Sequence, residues 1–188
     1  QGVRQDGAGV LIGALTTLED ALASPLLAEH RSLADVIDAT HSIQIQSMGT
    51  LGGDLCHLPN CWYFRNGYGL LGTENGESLV EAGDNRYHAI FGNQGPAKFV
   101  SASRFAPAMI SFGAKVRVIG PEAGQEEYLP LEYFYITPKT QNQGVTVLKP
   151  GQLISHIWLP SAQQIRSATY EVMQLEGLDW PLASAAAC

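Results

Sequence analysis

The segment from Met48 to Cys56 contains residue types that could bring bare backbone close to a ligand. It reads Met-Gly-Thr-Leu-Gly-Gly-Asp-Leu-Cys. Paired glycines inside an element cost about 1 kcal/mol each relative to alanine, so packing alone does not favour them. A phosphate, a sugar or a flat ring could approach such a turn, with Thr50 offering a hydroxyl and Gly52 and Gly53 offering unhindered N–H groups. The same spacing occurs in ordinary tight turns, so a purely structural turn is the alternative.

Three cysteines and five histidines are the next candidates for chemistry. His57 lies between Cys56 and Cys61, and the Cys-x4-Cys spacing could begin a metal site. Three residues do not complete the four-ligand set of zinc or of an iron–sulfur cluster. An odd number of cysteines without secretory features argues against a disulfide framework. We therefore expect thiols without a metal, and a metal-binding module through these three residues is the alternative.

The sequence carries no motif of protein-only catalysis. It lacks G-x-S-x-G, H-E-x-x-H, a P-loop and a dinucleotide-binding G-x-G-x-x-G. Residues 84–88 form a dense polar cluster, which could serve a site or could hydrogen-bond the surrounding loop to itself. Ser103 precedes a proline-bearing helical pattern and could act as an N-cap. No catalytic residue and no metal ligand is therefore assigned.

Composition excludes several classes of partner. The net charge is −7 and the 11 Lys and Arg residues form no cluster, so neither nucleic acid nor an anionic membrane surface is expected as a partner. No apolar run reaches the length of a membrane span, and we expect a cytoplasmic protein. With 188 residues and 45% hydrophobic content, the chain can form one large domain or one domain plus part of a second. Because it opens on Gln1 and closes in an alanine-rich run, we expect a segment of a longer polypeptide or a natural truncation.

Hydrophobic patterns predict short strands mixed with short helices, which indicates an α+β architecture. The region 59–95 has no sustained period and is predicted to be a long loop. A capped helix start is predicted at Thr16–Asp20, and a second helix is predicted over 32–39 with Leu33, Val36 and Ile37 inward. The remaining predicted elements are strands at 9–14, 114–119, 126–129, 153–159 and 168–173, and helices at 105–110 and 179–187.

Several motifs occur in one order along the chain and together resemble a known family. They are Leu11–Thr17, Thr50–Leu55, Cys61–Arg65, Gly83–Ile90, Ser103–Ala108, Thr169–Val172 and Asp179–Leu182. The set resembles the FAD-binding subunit of molybdopterin-containing hydroxylases. That family includes xanthine dehydrogenase, the carbon monoxide dehydrogenase medium subunit and aldehyde oxidoreductase.

The resemblance implies an α+β fold in which helices flank an antiparallel sheet. Residues 1–148 would be the second lobe of the FAD-binding PCMH-type domain. Residues 149–188 would begin the C-terminal flavoprotein domain of the carbon monoxide dehydrogenase type. The first lobe of the family would precede Gln1, so FAD binding could be weak or lost in this segment.

The resemblance also implies a cofactor, partners and contact residues. Electrons would pass from iron–sulfur clusters to FAD and then to an external acceptor, beside a molybdenum-cofactor subunit and a 2Fe-2S subunit. The chain would be part of an FAD-dependent oxidoreductase and would not be catalytic alone. Ser103 would bond near the ribityl or ring portion of FAD, and Ile154 would pack on the ring. The flavin nucleotide would be lined by Gly49, Thr50, Gly52, Gly53 and Asp54.

Three residues depart from the family pattern. Asp54 stands where Asn is commoner, Arg104 where Asp or Ser is usual, and Glu171 where Lys is frequent. Some relatives hold a four-cysteine iron–sulfur cluster in the long loop, and because only Cys61 of that set is present, no cluster is predicted. The alternative function is a truncated, non-catalytic module that keeps the fold and acts as an interaction or oligomerisation unit through the aromatic loop 62–87.

Overall fold

The computed structural model of the chain describes residues 1–175 and 179–188. Contacts divide it into two compact units. The sheet unit comprises Gln1–Cys56, Ser103–Phe134 and Leu148–Cys188. The loop unit comprises His57–Ala102 and Tyr135–Val147. Each unit is described by itself below.

The described residues form nine strands and seven α-helices. The strands are β1 (Val3–Asp6), β2 (Gly9–Gly13), β3 (Thr73–Glu74), β4 (Glu77–Ser78), β5 (Lys115–Ile119), β6 (Glu126–Pro130), β7 (Leu153–Pro160), β8 (Ala168–Val172) and β9 (Ala183–Ala187). The helices are α1 (Leu18–Leu22), α2 (Arg31–Asp38), α3 (Ile43–Met48), α4 (Leu51–Leu55), α5 (Trp62–Arg65), α6 (Leu79–Ala82) and α7 (Ala106–Ser111). Two 3-10 turns span Pro25–Leu27 and Leu131–Tyr133. None of these helices has the length and apolar character needed to cross a membrane.

A five-stranded antiparallel sheet forms the centre of the sheet unit, in the order β1-β2-β7-β5-β6. Every residue of β2 is buried, as its uninterrupted apolar sequence predicts for a strand covered on both faces. In β7 the buried residues Ile157 and Leu159 alternate with partly exposed ones. The predicted strands at 9–14, 114–119, 126–129 and 153–159 are therefore confirmed within one or two residues.

The helices of the sheet unit confirm the predicted amphipathic pattern. Helix α2 buries Leu33, Val36 and Ile37, and the side chain of Thr17 caps α1 by accepting a hydrogen bond from the amide of Asp20 at 3.1 Å. The predicted helix at 105–110 is α7. Helices and an antiparallel sheet thus build one unit, and the α+β prediction is confirmed.

Residues 179–187 do not form the predicted helix. Residues 183–187 form β9 instead, which pairs antiparallel with β8 in a separate two-stranded ribbon. Alanine favours a helix by local propensity, but that preference is small and tertiary pairing overrides it. Strand β8, predicted at 168–173, supplies the backbone partners, with Tyr170 opposite Ala185. The connection at 176–178 lies outside the described residues.

Residues on both sides of the predicted domain boundary at 148/149 contribute to the sheet unit. Strands β5 and β6 precede the boundary, whereas β7 follows it and lies between β2 and β5. The assignment of 1–148 and 149–188 to two domains of the family stays a prediction.

The loop unit contains only short elements. Helices α5 and α6 have four residues each, and β3 pairs with β4 over two positions. Residues 59–95, predicted to be a long loop without a sustained hydrophobic period, are therefore held mainly by turns and side-chain contacts.

Candidate functional site

The glycine-rich segment is the junction of α3 and α4. Gly49 ends α3 in an extended conformation, and its amide donates to the carbonyl of Ile45 at 2.7 Å. Thr50 is the N-cap of α4, where its hydroxyl accepts from the amide of Gly53 at 3.1 Å. The predicted turn is thus two residues long, Gly49 and Thr50, and the paired glycines lie in a helix.

The amides of this segment donate to groups inside the chain. The amide of Leu51 donates to the carbonyl of Thr16 at 3.0 Å, and the amide of Gly52 to the carbonyl of Ala14 at 2.9 Å. The amide of Gly53 donates to the hydroxyl of Thr50. The expected unhindered N–H groups of Gly52 and Gly53 are therefore already used. The amide of Thr50 donates to no group in the described part of the chain.

The two adjacent glycines have different surroundings. Gly52 is buried, and a Cβ at this position would lie 2.6 Å from the Cβ of Ala14 and 2.8 Å from its carbonyl oxygen. Gly53 is exposed, and a Cβ there would meet only the hydroxyl of Thr50, at 2.8 Å. Gly52 therefore allows α4 to approach the residue that follows β2, whereas Gly53 leaves bare backbone at the surface.

Asp54 binds the chain that enters α7. Its Oδ1 accepts from the hydroxyl of Ser103 and from the amide of Phe105 at 3.2 Å, and its Oδ2 lies 3.4 Å from the amide nitrogen of Arg104. The hydroxyl of Ser103 in turn accepts from the amide of Ala106 at 3.1 Å, as an N-cap residue does. An acceptor-only carboxylate suits this position because three donors converge on it.

Arg104 and Glu171, which the sequence resemblance marks as departures, contact each other. The guanidinium of Arg104 forms a two-point ion pair with the carboxylate of Glu171 on β8, with Nε 3.1 Å from Oε1. The same guanidinium donates to the carbonyl of Ala39 at 3.2 Å. Only 10% of the Arg104 side chain and 3% of the Glu171 side chain are exposed. A buried charge needs such a partner, so each departure explains the other.

Ile154 lies on β7 opposite Val118 of β5, and both side chains are buried. Helix α4 packs against β7. The structure thus brings Gly49–Asp54 and Ser103 together through Asp54 and places Ile154 on the neighbouring strand. Contact of these residues with a cofactor stays a prediction.

In the loop unit the polar cluster 84–88 bonds largely to its own surroundings. The Arg86 guanidinium pairs with the Asp84 carboxylate at 2.6 Å, and the indole N–H of Trp62 donates to the Asp84 carbonyl at 3.3 Å. The rings of Trp62 and Tyr87 pack edge to face with centroids 5.5 Å apart. The interpretation that the loop hydrogen-bonds to itself is confirmed. His57, the histidine nearest the glycine segment, lines a cavity of about 160 Å³ with Pro59 and residues of 97–102 and 135–145.

One pairing in the loop unit was not predicted from the sequence. The Sγ of Cys61 lies 3.1 Å from the Nε2 of His88. Burial lowers the pKa of His88 below its usual range, against the opposing effects of the Asn85 carbonyl and the Asp84 carboxylate. No local signal connects two residues 27 positions apart. In the described residues, no group of three or more Cys, His, Asp or Glu side chains is arranged to hold a metal ion.

The sequence matches the model of one protein family, described as the FAD binding domain in molybdopterin dehydrogenase, over residues 1–162. The chain is 30% identical over 159 residues to the aldehyde oxidoreductase FAD-binding subunit PaoB of Escherichia coli, which covers 82% of this chain and 49% of that protein. It is 36% identical over 58 residues to the carbon monoxide dehydrogenase medium chain of Hydrogenophaga pseudoflava, which covers 30% of this chain and 20% of that protein. The chain thus spans half or less of the curated relatives that it matches.

Solved structures share the fold. A carbon monoxide dehydrogenase structure from Hydrogenophaga pseudoflava aligns with 99% of this chain and 48% of its own, with a TM-score of 0.64 and 19% identity. Quinoline 2-oxidoreductase from Pseudomonas putida 86 aligns with 98% of this chain and 48% of its own, with a TM-score of 0.62 and 16% identity. At these identities the likeness supports the fold alone.

Proposed function

The chain belongs to the family of FAD-binding domains in molybdopterin dehydrogenases, and on that premise we propose that it binds FAD as the electron-transfer portion of a molybdenum hydroxylase. The observation that carries the proposal is the family match over residues 1–162, because it includes Gly49–Asp54, Ser103 and Ile154. In the complete enzyme, electrons would arrive from the 2Fe-2S subunit beside a molybdenum-cofactor subunit and leave to an external acceptor.

The surface of the α3–α4 junction fits a cofactor that rests against backbone. Gly53 is exposed, Gly49 and Thr50 are half-buried, and the amide of Thr50 is unused by the described part of the chain. The Asp54 side chain is buried and binds Ser103, so its negative charge is held away from the exposed Gly53. A cofactor phosphate near Gly53 would thus avoid the repulsion that an outward carboxylate would cause.

The seven predicted residues divide into two roles under this proposal. Gly49, Thr50 and Gly53 would contact the cofactor. Gly52, Asp54 and Ser103 would hold the junction in place, through packing on Ala14 and hydrogen bonds to the start of α7. Ile154 would support the same surface from β7. When bound, FAD supplies reversible uptake and release of electrons, and the protein supplies binding and orientation.

The test is a titration of the purified chain with FAD, followed by flavin fluorescence and visible absorbance. We expect bound flavin that bleaches with dithionite and recovers with a soluble oxidant. Gly53→Ala should weaken FAD binding about tenfold or more because its methyl group occupies the contact surface. Gly95→Ala is the matched control, since a Cβ there meets nothing within 4 Å. A folded chain that leaves FAD fluorescence and absorbance unchanged would contradict the proposal.

A second function is favoured by one exposed apolar pair. Ile90 and Phe91 in the loop unit are 83% and 89% exposed, whereas Trp62 and Tyr87 of the same unit pack on each other. Exposed apolar patches mark interaction surfaces, so an interaction or oligomerisation unit remains the alternative. Light scattering across a range of concentrations tests it. Under this alternative the mass rises with concentration, and the double variant Ile90→Ser, Phe91→Ser abolishes the rise.

A further inference from the structure

We propose that Cys61 and His88 form a thiol–imidazole pair whose sulfur is oxidised reversibly to a sulfenic acid by hydrogen peroxide. This inference is independent of flavin binding. It rests on the loop unit alone, where a nucleophile and a base lie within hydrogen-bond distance.

The thiol of Cys61 is available for this pairing because the backbone does not use it. Cys61 is the N-cap of α5, yet its side chain makes no capping bond to that helix. Its carbonyl accepts from the amide of Arg65 at 2.9 Å, which fixes the start of the helix. The Sγ is left to face the Nε2 of His88 at 3.1 Å.

The imidazole is held in place from the other side. The ring of Tyr63 lies 5.8 Å from the His88 ring, centroid to centroid. The backbone of two glycines packs closely against Tyr63. A Cβ at Gly72 would lie 3.2 Å from the Cβ of Tyr63, and a Cβ at Gly83 would lie 2.4 Å from its hydroxyl. The backbone amide of His88 donates to the carbonyl of Asn85 at 3.0 Å. The base is therefore positioned by contacts that do not involve Cys61.

The burial of Cys61 limits the size of the reagent that can reach its sulfur. Cys61 is only 9% exposed, so a bulky disulfide or an aromatic electrophile cannot reach its sulfur directly. His88, however, lines a cavity of about 540 Å³ together with Asn85, Ala89 and Asn93. Hydrogen peroxide is about as small as water and carries no charge. The geometry thus fits a peroxide better than larger oxidants.

The step balances without any further reactant. The proton of the Cys61 thiol passes to Nε2 of His88 as the sulfur attacks one oxygen of the peroxide, so the step needs no resting imidazolium, which burial disfavours. The oxygen–oxygen bond breaks, and the leaving hydroxide takes the proton back from the imidazolium to form water. Sulfur is oxidised by two electrons, the peroxide is reduced by two, and the product is a sulfenic acid, which a thiol can reduce again.

The other cysteines provide controls within the same chain. Cys188 is exposed, and its thiol donates to the carbonyl of Ser111 at 2.7 Å. Partial desolvation raises the pKa of Cys56, and the nearby Asp54 carboxylate adds to that rise. Neither thiol has an imidazole beside it among the hydrogen bonds of the described residues. The variant Cys56→Ser leaves the Cys61 thiol beside an imidazole and the exposed Cys188 thiol beside a backbone carbonyl to compare.

The experiment treats the folded full chain carrying Cys56→Ser with hydrogen peroxide, removes the peroxide with catalase at timed intervals, and then unfolds the chain in urea that contains dimedone. Dimedone traps the sulfenic acid, which is measured at each cysteine by mass spectrometry. We expect Cys61 to be labelled about tenfold faster than Cys188, whereas a bulky aromatic disulfide reagent should modify Cys188 first. Adding His88→Gln should slow labelling of Cys61 about tenfold or more and leave Cys188 unchanged, because glutamine cannot accept the proton.

Two results would overturn the proposal. One is labelling of Cys188 before Cys61 by peroxide, and the other is an unchanged Cys61 rate in a folded His88→Gln variant. If that variant unfolds, the bulky disulfide will modify Cys61 rapidly and reveal it. The comparison of the two thiols in Cys56→Ser then decides the question without the histidine variant.

Discussion

The polar clusters of the two units are held by different forces. In the sheet unit, the carboxylates of Asp54 and Glu171 are buried and each meets several donors. In the loop unit, the pair of Asp84 and Arg86 is well exposed to solvent. Water can replace a lost partner in the loop unit but not in the sheet unit.

This difference indicates which substitutions change stability and which change only local chemistry. A buried charge or hydrogen-bond donor that loses its partner keeps its full desolvation cost. An exposed ion pair is screened by water and salt and contributes little to the free energy of unfolding. The sheet unit should therefore respond strongly to single changes, whereas changes in the loop unit should alter reactivity more than folding.

The largest effect is expected from breaking the buried ion pair. Glu171→Ala leaves the Arg104 guanidinium buried without its carboxylate, and we expect a loss of about 3–5 kcal/mol in the free energy of unfolding. Urea unfolding followed by circular dichroism measures it. The double variant Arg104→Met, Glu171→Met should recover most of the loss because it removes both charges.

The exposed pair supplies the control for that prediction. Asp84→Asn should leave the urea midpoint unchanged, since the Arg86 guanidinium remains in water. Equal losses in Glu171→Ala and Asp84→Asn would show that burial does not distinguish the two units.

The next effect is expected at Asp54. Asp54→Ala leaves the Ser103 hydroxyl and the Phe105 amide without their acceptor, and a loss of about 2–3 kcal/mol is expected. Asp54→Asn keeps an oxygen at Oδ1, which accepts both of those bonds, and gives up only the longer contact to the Arg104 amide. We expect it to lose about 1 kcal/mol or less, because the two shorter hydrogen bonds are kept. A loss in Asp54→Asn as large as in Asp54→Ala would contradict this account.

The two glycines of α4 sharpen the comparison within a single turn. Gly52→Ala forces its methyl group against the backbone and side chain of Ala14, and should cost about 1–3 kcal/mol of unfolding free energy. Gly53→Ala gains about 1 kcal/mol of helix propensity but displaces the Thr50 hydroxyl, so its net change should stay within about 1 kcal/mol. Chemical unfolding of both variants measures the contrast. The prediction fails if Gly53→Ala is the more destabilised variant.

The smallest effect is a dependence on pH from a buried histidine. Burial lowers the pKa of His30, against the effects of the Pro160 carbonyl and the Glu29 carboxylate. The unfolded chain then binds the proton more readily than the folded one, so this stabilisation is complete above the unfolded pKa and is lost as the pH falls through the folded pKa. Unfolding curves from pH 7.5 downward should show decreasing stability. His30→Gln, which keeps an N–H donor for the Pro160 carbonyl at the cost of some packing on Phe112, should flatten the slope.

Much of the fold follows from local sequence. The uninterrupted apolar run of β2 and the inward face of α2 are visible in the residue order, since burial imposes a period on each element. The helix predicted at 179–187 was wrong, because pairing of residues 183–187 with β8 outweighs the small helix preference of alanine. In the candidate site, the sequence singled out Gly49–Asp54 and Ser103. It did not show that Asp54 would bind Ser103, or that Gly52 would pack on Ala14, because these partners lie far apart in the chain.

The sequence by itself determined the family, four of the five strands of the central sheet (β2, β5, β6 and β7), and the glycines at the start of α4. These are local patterns, which depend on residues close together in the chain and can therefore be recognised from the sequence. Only the tertiary structure decided that Arg104 pairs with Glu171, that the amide of Gly52 is already used, and that Cys61 faces His88. Each of these contacts depends on residues that folding brings together. Their separation along the chain does not determine their distance in space.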